Sequence, residues 1–372
     1  MRRLRDLRLP RLQHARGHAV PDVRGEGWEA AAGRAVEGEV TTVGAPDFGA
    51  LGIAVGHATD EEGATGVTVV RGIEAAFRAS AVLLGRATGT RELDALSPRH
   101  LVDRVDAVML TGGSAFGLDA GAGVMRWMEE RGRGFPVGGG VVPIVPAAVV
   151  FDLAPLGRFG ARPTPAMAHE ATERATPRVV EGSIGAGTGT TVGKAGGVAG
   201  AMKGGVGAAI ATANGVTVGA LAVVNAFGDV RDAAGRIIAG ARRNGRFADS
   251  SRILREEAAP ERFGQQAMQN TTLAVVISGT PLDRVELQQL AGAASAALFR
   301  RITPTGTAVD GDVIFALAPL DGPRAPSLRI EVLAVAALEE AIERAVRLAR
   351  GRDGVPGLAD GPPVPNARGA DR

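Results

Sequence analysis

Apolar residues recur along this chain with two different periods, and the alternation between them sketches an α/β protein. Residues 105–110 form a short apolar run. A tight Thr111-Gly-Gly-Ser114 loop follows, and apolar positions then recur at helical spacing over 115–131 (Phe116, Ala120, Val124, Met128), with Gly132 just past the end. The spacing predicts strand, glycine loop, helix, with Ser114 as the N-cap; the free N–H groups of such a helix start also suit an anion or a carbonyl oxygen. Residues 216–230 are apolar and β-branched, and Asp232-Ala-Ala-Gly235 turns the chain into a second strand over 236–239. Two more strands are expected at 271–278 and 313–318, separated by an amphipathic helix over 285–300. A last helix over 332–350 carries Glu340/Arg344 and Glu343/Arg347 one turn apart and stops at Gly351. Helices cover sheets, and several strands follow one another through short turns, so the pattern reads as layered α/β with a large antiparallel share.

The two ends depart from this pattern. Residues 1–24 hold seven Arg and two Asp, and residues 1–39 are expected to be a disordered arm; residues 352–372, rich in Pro, Gly and Asp, are expected to be a disordered tail. Residues 40–351 then form one domain. With 45% hydrophobic and 22% charged residues and no uncharged apolar run of membrane length, the chain reads as folded and free of membrane spans. A net charge of +2 over 372 residues gives no charged face for nucleic acid. No long apolar segment marks a secretion signal, so the expected location is the cytoplasm.

Absent residue types narrow the chemistry further. Without Cys or Tyr the chain has no thiolate nucleophile, disulfide, Cys-ligated zinc or phenolic acid. The five His are scattered, which points to no metal site. Only Lys194 and Lys203 are lysines among 42 basic residues, so each is either a leftover of base composition or a position where guanidinium cannot replace a compact ammonium. Lys194 lies in a glycine-rich stretch, residues 182–207, that fails the nucleotide motifs on counting. Thr188 stands where the first Gly of a phosphate loop belongs, Ala195 follows Lys194, and Gly185-x-Gly187 runs on to Thr190.

Thr271 follows Asn270 at the start of a strand-like run, after a polar stretch suited to an exposed loop. A Thr hydroxyl is a weak nucleophile without a base, and a freed α-amine on the same residue would supply one. Cutting at Asn270–Thr271 would therefore create a catalyst. Local sequence alone favours an Asn turn before an edge strand.

Seven segments in order decide between these readings: Val55-Gly-His-Ala-Thr-Asp60, Thr111-Gly-Gly-Ser-Ala-Phe-Gly117, Pro146-Ala-Ala-Val149, Gly185-Ala-Gly-Thr188 with Val192-Gly-Lys194, Val224-Asn225, Asn270-Thr-Thr272 and Asp310-Gly-Asp312. Together they resemble the self-cleaving L-aminopeptidase/D-amidase-esterase family of N-terminal nucleophile hydrolases, which includes the hydrolases of ω-amino-acid (6-aminohexanoate-type, nylon) oligoamides. The resemblance implies a four-layer α/β/β/α sandwich with mixed, largely antiparallel sheets, cut into 1–270 and 271–372 and assembled as a homo-oligomer of cleaved heterodimers. It implies Thr271 as nucleophile, Asn270 before the cut, Asn225 as oxyanion donor, and Lys194, Asp310 and Asp312 completing the catalytic set. Gly112, Gly113, Ser114 and Phe151 would meet a small peptide or oligoamide substrate, with no cofactor. Two departures stand out: Phe151 occupies a position where some branches carry Tyr, and Asp310 and Asp312 stand where the β-aminopeptidase branch has Ser and Glu. The competing readings are a self-cleaving acyltransferase of the ornithine acetyltransferase type, whose Ala-Thr-Met-Leu context differs from Gln269-Asn-Thr-Thr-Leu273, and an uncleaved binding or assembly protein.

Overall fold

In the computed structural model, residues 44–256 and 270–361 are described. The arm expected over 1–39, most of the polar stretch before Asn270, and residues 362–372 lie outside them. In chain order the strands of the two large sheets are β1 (Ile53–Asp60), β2 (Thr65–Gly72), β3 (Phe77–Leu83), β4 (Thr90–Arg91), β5 (Ala107–Thr111), β6 (Ala147–Val149), β7 (Gly205–Ala213), β8 (Val216–Asn225), β9 (Thr271–Ser278) and β10 (Val313–Pro319). The helices are α1 (Gly121–Glu130), α2 (Pro165–Glu173), α3 (Ser250–Glu256), α4 (Arg284–Arg301) and α5 (Ser327–Arg347). One sheet runs β1-β2-β5-β6-β4 and the other β7-β8-β9-β10-β3. Each contains a single parallel pair, β5/β6 and β9/β10, and is otherwise antiparallel.

Side-chain alternation shows how the layers stack. Leu221 and Val223, Leu273, Val275 and Ile277, and Val313, Phe315 and Leu317 turn into the space between the sheets, where they meet Val70, Val108, Leu110 and Ala148. The intervening Ala220, Ala222, Val224, Ala274, Val276, Ile314 and Ala316 face the other way, against α4 and α5. Val67, Val69, Ala107, Met109 and Ala147 face α1 and α2 through Val124, Trp127, Met128, Ala168 and Ala171. The order is helices, sheet, sheet, helices, the α/β/β/α sandwich expected. Both faces of each sheet are dry, which is why its strands read as unbroken apolar runs. The parallel β9/β10 pair needs a crossover, and α4 supplies it, started by a capping box in which Asp283 accepts the Glu286 N–H at 2.9 Å and Glu286 accepts the Asp283 N–H at 2.8 Å.

Five local readings change. The helix read from Ser114 begins as a tight 3-10 segment, Ser114–Ala120, and becomes α-helical only at Gly121. Gly113 and Ser114 both have positive φ, 78° and 52°, because this loop curls back so that Gly113 N–H reaches Asp152 at 2.7 Å and Ser114 N–H reaches the Val150 carbonyl at 3.1 Å. Gly113 holds the cap position and no side chain caps it. The apolar run 216–230 breaks after Asn225, and Asp229–Arg231 pairs separately with Ile237–Ala239. The last helix starts at Ser327, ahead of the expected 332; Arg347 pairs with Glu343 at 3.1 Å as expected, while Arg344 Nε reaches Glu181 at 2.8 Å. Finally, residues 352–361 fold back onto the domain instead of trailing away: Pro356 accepts the Lys203 N–H at 2.9 Å, Ala359 N–H bonds Ala349 at 3.0 Å, and Asp360 accepts the Gly351 N–H. Thr271–Ser278 is likewise a central strand, not an edge.

The α5 helix lies close on β7, and Gly207 sets that approach: a Cβ there would stand 2.1 Å from the Ala341 carbonyl oxygen and 2.3 Å from Ala345 N. In α4, Gly292 has nothing within 4 Å of its missing Cβ. Chemical denaturation should therefore separate two glycine-to-alanine changes by sign. Gly207→Ala should lose at least about 1–3 kcal/mol through overpacking, and Gly292→Ala should gain about 0.5–1 kcal/mol from helix propensity. Equal effects of the two changes would contradict this packing.

Candidate active site

The site forms where both sheets end. Asn225 is the last residue of β8 and Thr271 the first of β9, and the antiparallel register sets them directly opposite each other. By alternation with Val223 and Leu273 they sit on the face between the sheets. Both are buried, Thr271 with 5% of its surface exposed.

Three elements converge on Asn225. Its side-chain oxygen accepts the Thr191 N–H at 3.0 Å and the Lys194 ammonium at 2.9 Å, and Lys194 also reaches the Asn225 carbonyl at 3.2 Å. Its Nδ2 donates to the Phe151 carbonyl at 3.0 Å. Turning the amide over would set donors against donors, so this network fixes its orientation and leaves one amide N–H uncommitted. The Phe151 ring was expected to stand where a phenol can act, yet the contact to Asn225 comes from its backbone.

Thr271 meets the loop before β10. Its hydroxyl donates to the Asn270 carbonyl at 2.7 Å, and the same carbonyl accepts the Gly311 N–H at 2.8 Å, where Asn270 pairs in parallel with Asp310. Gly311 cannot carry a side chain: its Cβ would stand 2.8 Å from the Thr271 hydroxyl and 2.5 Å from the Ala87 carbonyl. Asp312 accepts the Thr272 N–H at 2.6 Å, the Thr305 hydroxyl at 2.9 Å and the Gly306 N–H at 3.2 Å. Asp310 accepts the N–H and hydroxyl of Thr307 at 2.9 and 2.7 Å.

Burial dominates the electrostatics. It pulls the Lys194 pKa down to about 7, against the attraction of Asp310 and Asp312. Burial pushes both carboxyls up, and the neighbouring Asp310 charge adds to the rise at Asp312. Burial thus draws Lys194 and Asp312 towards neutral pH from opposite sides, which suits a group that must accept and return a proton.

The glycine loop lies alongside. Gly112 N–H bonds the Gly66 carbonyl at 2.9 Å, and Asp152, next to Phe151, accepts the Gly113 N–H and, at 2.6 Å, the Thr65 hydroxyl. Burial lifts the Asp152 pKa to about 6 against these donors and Lys203. Sequence reasoning missed Asp152, Thr65 and Thr191; the one available signal was a lone acid directly after an apolar run. It also missed Gly311, legible only as the residue between two acids. Lys203 is buried as deeply as Lys194, and it donates to the Gly187, Thr190 and Gly204 carbonyls at 2.9, 3.0 and 3.1 Å, tying the glycine-rich stretch together. Among the described residues no three His, Asp or Glu side chains gather as a metal-holding group, and no helix is long and apolar enough to cross a membrane.

Residues 50–357 match the family model described as Peptidase family S58. An uncharacterized aminopeptidase of Mycobacterium tuberculosis is 41% identical over 240 residues, covering 63% of this chain and 67% of the relative. A 6-aminohexanoate-oligomer endohydrolase of Kocuria sp. is 32% identical over 290 residues, covering 74% of this chain and 76% of the relative. In fold, the chain resembles the L-aminopeptidase D-Ala-esterase/amidase of Ochrobactrum anthropi, a variant of the Ntn hydrolase fold, with a TM-score of 0.61 at 20% identity over 84% of this chain and 90% of that one. The buried cluster at the mouth of the sandwich thus sits in a chain that belongs to peptidase family S58, a hydrolase of amide bonds.

Proposed function

We propose that the chain matures by cutting itself between Asn270 and Thr271 and that Thr271, as a new N-terminus, hydrolyses small peptides or ω-amino-acid oligoamides through an acyl-enzyme. The observation that carries this reading is the Asn270 carbonyl, which accepts the Thr271 hydroxyl at 2.7 Å and the Gly311 N–H at 2.8 Å. An N–H aimed at a carbonyl oxygen stabilises the negative charge that develops there under attack. In the cut, Thr271 Oγ adds to the Asn270 carbonyl carbon, its proton passes to the Thr271 nitrogen, and the C–N bond breaks to leave an ester. Water hydrolyses that ester, giving an Asn270 carboxylate and a free Thr271 amine. The amine then takes the hydroxyl proton as Oγ attacks a substrate amide, the uncommitted Asn225 N–H meets the new oxyanion, and the leaving amine departs with the proton. A second water releases the acid. The names of the relatives, aminopeptidase and 6-aminohexanoate-oligomer endohydrolase, support this substrate range.

The two fragments should stay together, because β9 of the second lies between β8 of the first and β10. On a denaturing gel the 372-residue chain should separate into fragments of 270 and 102 residues, and Thr271→Ala should remain whole. A whole wild-type chain, or a cut at another bond, would overturn the maturation step.

The two lysines should differ in kind. Lys194→Met should abolish cutting with the fold retained, since it empties the position beside Asn225. Lys203→Met should instead lower the melting temperature, because three buried carbonyls each lose one donor. Loss of cutting in both variants with unchanged melting temperatures would refute this division.

In this reading neutral Lys194 relays the hydroxyl proton to the Thr271 nitrogen, and burial draws its pKa down to about 7, so the cutting rate should rise with pH through that value. In an Asn225→Ala enzyme shown to be cut, kcat should fall about 10²–10³-fold with KM little changed. A cutting rate that falls across neutrality, or full turnover in cut Asn225→Ala, would contradict these roles.

A further inference from the structure

Beside the loop that carries Gly113, the surface presents two phenylalanines and an arginine that forms no ion pair among the described residues. Phe116 is 50% exposed and Phe159 65% exposed, and their rings meet edge to face with centroids 6.4 Å apart. The Arg162 guanidinium carbon lies 3.4 Å from the Phe116 centroid and 5.5 Å from that of Phe159. Its Nε is buried without an acceptor, and among the described residues Arg162 forms no ion pair. Nearby arginines differ: Arg158 pairs with Glu62, and Arg174 with Glu170 at 2.7 Å. A guanidinium held against aromatic faces keeps its charge and its planar fork of N–H donors, and both match a carboxylate.

The cluster borders the catalytic end of the sandwich. Pro163, the next residue, packs so closely on Gly113 that a Cβ there would stand 2.9 Å from Pro163 Cδ. Gly113 is bonded to Asp152, and the Phe151 carbonyl beside Asp152 holds the Asn225 amide. Exposed apolar rings next to an unneutralised cation suit a ligand with an apolar stretch that ends in a carboxylate.

We infer that Arg162, with Phe116 and Phe159, forms a subsite for the terminal carboxylate of an amino-acid oligomer, on the side that leaves as the amine product. The inference rests on the amide hydrolase reading with Thr271 as nucleophile. It makes Arg162 a specificity residue: substrates ending in a free carboxylate are preferred over the same substrates capped as amides.

Two measurements test it, one independent of turnover. Calorimetric binding of hexanoate and hexanamide to the wild type should favour hexanoate by about three- to fivefold, the size that a part-exposed ion pair gives. Arg162→Gln, with its melting temperature checked against wild type, should lose that preference, and Arg158→Gln should keep it. Equal binding of the two probes by wild type, or unchanged hexanoate binding in folded Arg162→Gln, overturns the subsite. In turnover, the ratio of kcat/KM for a linear 6-aminohexanoate dimer to that for its terminal amide should exceed one in wild type and fall towards one in Arg162→Gln. A wild type that binds hexanoate through Arg162 yet cleaves neither dimer upholds the subsite and refutes the hydrolytic reading of Thr271 instead.

Discussion

A slip of one residue between β8 and β9 would turn Asn225 and Thr271 away from each other and send the apolar set of the strand that shifted, Leu221 and Val223 or Leu273 and Val275, to the wrong face of the sheet. The register is held because both faces of this sheet are dry, each buried Val, Leu or Ile contributing about 1.5–3 kcal/mol that a slip would forfeit. The proposed catalytic pair therefore inherits its alignment from core packing. The same strand order keeps β9 between β8 and β10, so the proposed cut frees a new terminus without freeing the strand.

Packing of this kind carries an electrostatic cost at the sheet ends. Lys194, Asp310 and Asp312 lie almost wholly out of water, and isolated buried charges would be expensive. They are tolerated because each is held by several donors or acceptors: Asn225 for Lys194, Thr307 for Asp310, and Thr272, Thr305 and Gly306 for Asp312. The residual strain appears as proton affinities drawn towards neutrality, which is what acid–base chemistry at that pH needs. Lys203 meets the same burial but satisfies itself on three backbone carbonyls, and so serves structure.

Much of the fold was legible because sheets buried on both faces leave apolar runs: the strands at 107–111, 271–278 and 313–319 and the helix at 284–301 lie within a residue or two of their expected places. The misses share a cause, partners distant in sequence. The helix expected from Ser114 starts late because Asp152 pulls on Gly113, and residues 352–361 look like a tail until Pro356 and Ala359 find Lys203 and Ala349. At the site, the family resemblance pointed to Thr271, Asn225, Lys194, Asp310 and Asp312, and the fold brings them together. Composition alone could not tell Lys194 from Lys203, and the middle residue of Asp-Gly-Asp gave no hint that its N–H meets the Asn270 carbonyl.

The central claim is that Thr271 carries the acyl group during turnover, and trapping that intermediate tests it most directly. The enzyme would be mixed with an activated ester of 6-acetamidohexanoic acid, quenched in acid within the first turnover and mapped by mass spectrometry. The account predicts the acyl mass on the peptide that begins at Thr271, with the label on its hydroxyl and the α-amine free. An acyl group on Ser114 or another side chain, or turnover with no covalent species on Thr271, would contradict it.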